Sequence, residues 1–212
     1  MHTDTLVTAD AAAVRETVRL VAGLTTTDLE RPTPCEGWDL GTLLTHMTVQ
    51  HRGFAAAAAG NGADLTVWEM PQGWWLPDLV RGYAASAELV LAAFANPAPQ
   101  FALPEISPAQ TFPAAQAISF HLIDYVVHGW DVAATLALPY GPGEALLTLA
   151  LPIARAVPQG ETRTRPGAAF APALPLPQGA DLLDEILRRL GRDPAWTAPS
   201  AAAPPHSTAA SA

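Results

Sequence analysis

Between Pro113 and the Leu-Pro-Tyr-Gly-Pro-Gly break that begins at Leu138, the chain runs without a proline and almost without charge. A stretch of that length and polarity predicts a long helix from Pro113 to Leu136, buried over most of its surface. His121, Asp124 and His128 all fall inside it. Asp124 and His128 are spaced i, i+4, and His121 precedes Asp124 by three, so the three side chains stand near one face. A carboxylate or imidazole buried without a partner is costly. The cluster therefore requires hydrogen bonding, a general acid/base pair or a metal ion.

The flanking sequence predicts more helices. Val14, Val18 and Val21 recur at helical spacing in a first helix from Thr8 to Leu24. Asp39 offers an N-cap to a second, which runs to Gly60 with Leu40, Leu43, Leu44, Met47 and Phe54 as its buried stripe. Pro77 suits the start of a third that ends at Ala95, before Pro97 and Pro99. Residues 101–112 read as irregular. Glu144 to Val157 predicts a fifth helix that Pro152 should kink or shorten. The proline-rich "FAPALPLP" alternates and predicts a strand-like arm, and Asp181 to Leu190 a last short helix ended by Gly191. Four substantial helices joined by long connections point to an all-α bundle. The expected divisions are a bundle over 1–157, a small extended and helical C-terminal appendage over 158–196 packed on it, and a disordered tail over 197–212.

Charge narrows the function. The 212 residues carry a formal net charge of −9, and every basic residue is Arg. An acidic chain with no basic cluster is a poor match for a phosphate backbone, so no nucleic-acid partner is expected. The apolar runs are shorter than a membrane span needs, and no signal peptide is evident; a soluble cytoplasmic protein is expected. A single cysteine, Cys35, excludes an intrachain disulfide, and no Cys-based zinc site is expected. No nucleotide-binding glycine loop or serine-hydrolase elbow is present.

On the second helix His46 lies between Leu44 and Met47, on or beside the apolar stripe. Facing Asp124 and His128 it would complete three ligands for a zinc-like ion and leave a position open for water or substrate. Spacing alone also allows hydrogen-bonded core histidines. His51 follows Gln50 and is expected to point outward. His121 reads as a hydrogen-bonded residue, to backbone or to Asp124. Asp131 suits orienting His128 from its other nitrogen, capping a neighbouring segment or pairing with an Arg. Cys35 reads as a small packed hydrophobe, Trp38 as a staple on the start of the second helix, and Arg52 and Arg81 as solvated. Trp68, Trp74 and Trp75 would wall a pocket or lid the bundle.

Three segments carry a family resemblance. "TPCEGWDLGTLLTHM" (33–47) resembles the opening motif of the DinB-like superfamily, in the branch of mycothiol-dependent maleylpyruvate isomerases. "DYVVHGWDVAAT" (124–135) resembles that branch's second motif, and residues 167–196 are similar to the C-terminal end of a subgroup described only as metal-binding. The resemblance implies a DinB-like four-helix bundle holding one divalent metal ion, usually zinc or nickel, through His46, Asp124 and His128. The isomerases usually place Glu where this chain has Asp124, which would draw the ion toward its helix. The resemblance further implies mycothiol or bacillithiol as co-substrate and transfer or isomerisation of a small electrophile, with a non-catalytic metal-binding or sensor module as the alternative. It names no catalytic residue and no thiol-binding residue here. Bundles of this kind often pair through exposed apolar helix faces, which allows a homodimer, although the sequence itself does not set the oligomeric state.

Overall fold

The computed structural model describes residues 2–69, 76–165 and 167–199. The helices are α1 (Thr3–Val21), α2 (Leu40–Ala58), α3 (Leu76–Phe94), α4 (Ala114–Leu136), α5 (Glu144–Ala156) and α6 (Leu182–Arg189). Around the bundle the order is α1, α3, α2, α4: α1 packs on α3 and α4, and α2 on α3 and α4. Chain neighbours α1 and α2, and likewise α3 and α4, are therefore diagonal partners. Their connections must cross the end of the bundle, which explains why both are long. Tyr83, Val90, Leu43, Leu44, Met47, Ile118, Leu122 and Val126 fill the centre with no exposed surface.

Local chemistry sets the boundaries. Asp39 caps α2 by accepting from the Thr42 N–H at 2.7 Å. Asp181 caps α6 in the same way, through the Asp184 N–H. α1 begins before Thr8, at Thr3, because Leu6 already belongs to the core. Pro152 does not interrupt α5; it lies on the exposed side, where water can satisfy the carbonyl that loses its N–H partner.

Two expectations are corrected. The stretch read as irregular contains a hairpin: β1 (Gln100–Ala102) pairs antiparallel with β2 (Thr111–Pro113), Phe101 opposite Phe112. "FAPALPLP" forms no strand. Pro172, Pro175 and Pro177 have no N–H to donate to a ladder, and the segment is tied down by single bonds such as Leu174 N–H to the Arg188 carbonyl. The expected tail from Ser200 onward lies outside the described residues, as do Trp74 and Trp75.

α2 carries one position where only glycine fits. A Cβ at Gly53 would sit 2.2 Å from Trp68 Cε3. Trp68 cannot retreat, since its indole N–H donates to the Gly62 carbonyl at 2.9 Å and its ring meets Phe54 edge-on. Gly53→Ala is expected to destabilise the chain by about 1–3 kcal/mol through overpacking, measured by urea unfolding with tryptophan fluorescence.

Candidate metal centre

α2 and α4 are neighbours, and their contact brings His46 to Asp124 and His128. His46 Nε2 lies 4.0 Å from Asp124 Oδ2, and His128 Nε2 lies 3.4 Å from Asp124 Oδ1. One donor atom from each of the three falls within 4.8 Å of the others. His46 and Asp124 are partly exposed, whereas His128 is buried. The trio thus sits at a mouth, with His128 as its floor. Trp38 packs beside His46, ring centres 5.1 Å apart, and restricts its swing.

Charge in this trio is arranged for a cation. Burial pushes the His46 imidazole down to about 4, so at neutral pH it offers a lone pair. Burial alone would raise Asp124, but His128 and His46 outweigh it and hold the carboxylate ionised. Burial alone would lower His128; Asp124, with the bonds to Asp131 and Cys35, outweighs it and raises the imidazole well above its ordinary range. His128 thus stands between two carboxylates, Asp124 at Nε2 and Asp131 at Nδ1.

Behind His128 is a layer the sequence only half disclosed. Asp131 Oδ2 stands 2.9 Å from His128 Nδ1, which fixes Nε2 toward Asp124. Arg192, just after α6, donates to Asp131 Oδ1 at 2.9 Å and to Oδ2 at 3.1 Å. Of the three readings of Asp131, imidazole orientation and Arg pairing describe the same carboxylate, while no backbone N–H among the described residues is capped by it. Gly191 makes this reach possible: it has φ 76°, and a Cβ there would meet Ala171 Cβ at 2.6 Å. Cys35 is a buried member of the apolar core, and its thiol also meets polar atoms on one side. Its Sγ is 3.0 Å from Arg192 Nη2 and 3.2 Å from Asp131 Oδ2.

His51 and His121 do not join the trio. His51 is fully buried, not outward, because α3 covers that side of α2; its Nδ1 pairs with Ser86 Oγ at 2.9 Å. His121 bonds neither backbone nor Asp124. Its Nδ1 meets Asp10 Oδ1 of α1 at 2.7 Å, and its ring stacks on Tyr125. Asp10 was missed because it lies in an alanine run of α1 where nothing in the sequence marks its carboxylate as buried. Arg81 pairs with Asp78 on the surface, and Arg52 is partly buried with Nε unpartnered.

Burial, aided by neighbouring His121, pushes His51 well below its ordinary 6.5. The unfolded chain therefore takes up a proton that the folded chain refuses below about pH 6.5, and stability falls on acidification. His51→Gln is expected to flatten the stability profile between about pH 6.5 and 5 by about 1.4 kcal/mol per pH unit, measured by urea unfolding across that range.

The comparisons with known proteins give the chain's family and fold. The sequence profile of the mycothiol maleylpyruvate isomerase N-terminal domain matches residues 11–133, more than half of the chain. The chain belongs to this family. Two uncharacterized proteins of Mycobacterium tuberculosis, from strains CDC 1551 / Oshkosh and ATCC 25618 / H37Rv, are each 27% identical over 173 residues, covering 82% of this chain and 90% of theirs. The crystal structure of the mycothiol-dependent maleylpyruvate isomerase superposes with TM-score 0.54, and that of a His-to-Ala variant with 0.56. Both are 14% identical, covering 75% of this chain and 70% of that one, which establishes a shared fold. Among the described residues, no helix is long and apolar enough to cross a membrane.

Proposed function

We propose that this family member is a metal- and thiol-dependent isomerase or S-transferase acting on a small electrophile, with one divalent ion held by His46, Asp124 and His128. The observation that carries the proposal is the trio itself. Two nitrogens and a carboxylate converge within 4.8 Å at a partly exposed mouth, and the floor ligand is oriented from behind by Asp131. Two imidazoles and a carboxylate suit zinc or nickel and leave a coordination position open. Asp124 in place of the longer Glu fits because its carboxylate already lies between the two imidazoles.

The bound ion would lower the pKa of a small thiol presented at the open position and hold it as the nucleophile. The chain's own residues supply the rest. Trp38 and His46 border the approach, and buried His128, backed by Asp131 and Arg192, keeps the floor rigid. No protein nucleophile is required. For a conjugated cis alkene the thiolate sulfur bonds to one alkene carbon, and the π pair moves into the adjoining carbonyl. The former double bond rotates. The electrons then return and expel the thiolate, leaving the trans isomer.

The test follows the relatives' chemistry. Protein loaded with zinc or nickel is offered maleylpyruvate with mycothiol, and separately a panel of epoxides and enones with mycothiol or bacillithiol. Thiol-dependent turnover that falls to background in His46→Ala is expected. Stoichiometric metal without turnover on any pair would leave the non-catalytic metal-binding module as the function.

A further inference from the structure

A second metal-capable trio stands back to back with the first. Cys35 Sγ, Asp131 Oδ2 and His128 Nδ1 fall within 4.8 Å of one another, and His128 is shared through its other nitrogen. Sulfur, carboxylate and imidazole are stronger ligands for zinc than the outer set, because a thiolate replaces one imidazole. A chain that works with an exogenous thiol at its ion therefore faces competition from its own thiol. Cys35 Sγ is 3.9 Å from His128 Nδ1.

Arg192 occupies this inner trio. Its guanidinium lies 3.0 Å from Cys35 Sγ and 3.1 Å from Asp131 Oδ2, with a further bond to Asp131 Oδ1 at 2.9 Å. Its side chain is 7% exposed and that of Asp131 is fully buried. A guanidinium is always charged, and its planar fork matches a carboxylate. We propose that Arg192 is the resident cation of the Cys35, Asp131 and His128 cluster, filling a metal-capable trio so that a divalent ion is confined to the outer one and Cys35 is withheld from it. The α6 segment thereby selects which face of His128 receives metal. Selectivity comes from a fixed positive charge, which repels a second cation and uses the lone pairs that cation would need. The idea extends the proposed outer site but does not require it to be catalytic.

Cobalt(II) provides the test, because a cobalt–thiolate bond gives a near-ultraviolet charge-transfer band that nitrogen and oxygen ligands do not. Binding there would break the Cys35 S–H bond, form S–Co and release the proton to buffer. Native protein titrated with cobalt is expected to show no thiolate band. Arg192→Met and Arg192→Gln are expected to gain the band at about one equivalent, and Arg192→Met combined with Cys35→Ser to lose it. Arg192→Lys, which keeps a cation, is expected to stay without it. A thiolate band in the native protein would overturn the proposal. So would its absence from both uncharged variants at saturating cobalt, or loss of helical circular dichroism in both, which would make Arg192 a structural pin. Failure of the outer site reads differently: native protein would bind no cobalt at all, while the uncharged variants would still gain the Cys35 band.

Discussion

His128→Ala is expected to abolish stoichiometric metal binding while leaving the helical fold in place. Native protein purified without a histidine tag should carry about one equivalent of zinc or nickel, and the variant should bind more than about a hundredfold more weakly, beyond the usual ceiling for losing an outer-layer partner. The reason is the position of His128. It is the only ligand shared by the mouth and the buried layer, so its loss removes a donor and disconnects Asp124 from Asp131. The fold should survive because Asp131 keeps both bonds to Arg192 and the surrounding core is apolar. Elemental analysis beside circular dichroism checks both halves. A native protein that refuses zinc, nickel and manganese would turn the trio into a plain hydrogen-bond network.

Asp131→Ala carries the second large effect, on stability as well as on metal. It strands the Arg192 guanidinium in a buried site with Cys35 as its only remaining polar side-chain partner among the described residues. Removing one member of a buried pair typically costs about 3–5 kcal/mol, much of it the desolvation of the charge left behind. His128 also loses the bond that orients it, so metal affinity should fall by about 10–100-fold. The two effects separate by pH. Burial alone would raise the Asp131 carboxyl, but His128 and Arg192 outweigh it and hold it below its ordinary value near 3.9. Its contribution is therefore fully present above about pH 4 and is lost as pH falls through its folded value. Native protein should lose stability along that acid limb, and Asp131→Ala should lack this part of the slope. Urea unfolding of the metal-free proteins measures it.

The helices were legible where local chemistry and periodicity agreed. Asp39 announced α2, and the unbroken apolar run announced α4. Asp124 and His128 could be read as a pair because helix geometry alone places i and i+4 together. His46 could not, since its approach to them depends on α2 packing beside α4; the resemblance of 33–47 and 124–135 to the family's motifs supplied it. His51 misled because a single-stripe picture suits a surface helix, whereas α2 is covered by both α3 and α4. Arg192 is separated from Cys35 by 157 positions, and nothing near it in sequence distinguishes it from Arg188 and Arg189 of α6. Asp10 was hidden for the same reason. Long-range pairing of single charged residues leaves no periodic trace.

Anomalous diffraction from crystals of native protein soaked in zinc tests the central claim most directly. The account requires one strong zinc peak, about 2.0–2.2 Å from His46 Nε2, His128 Nε2 and an Asp124 oxygen, with a neighbouring position taken by water or thiol. A peak between Cys35, Asp131 and His128 Nδ1, or no peak within reach of His46, would contradict it.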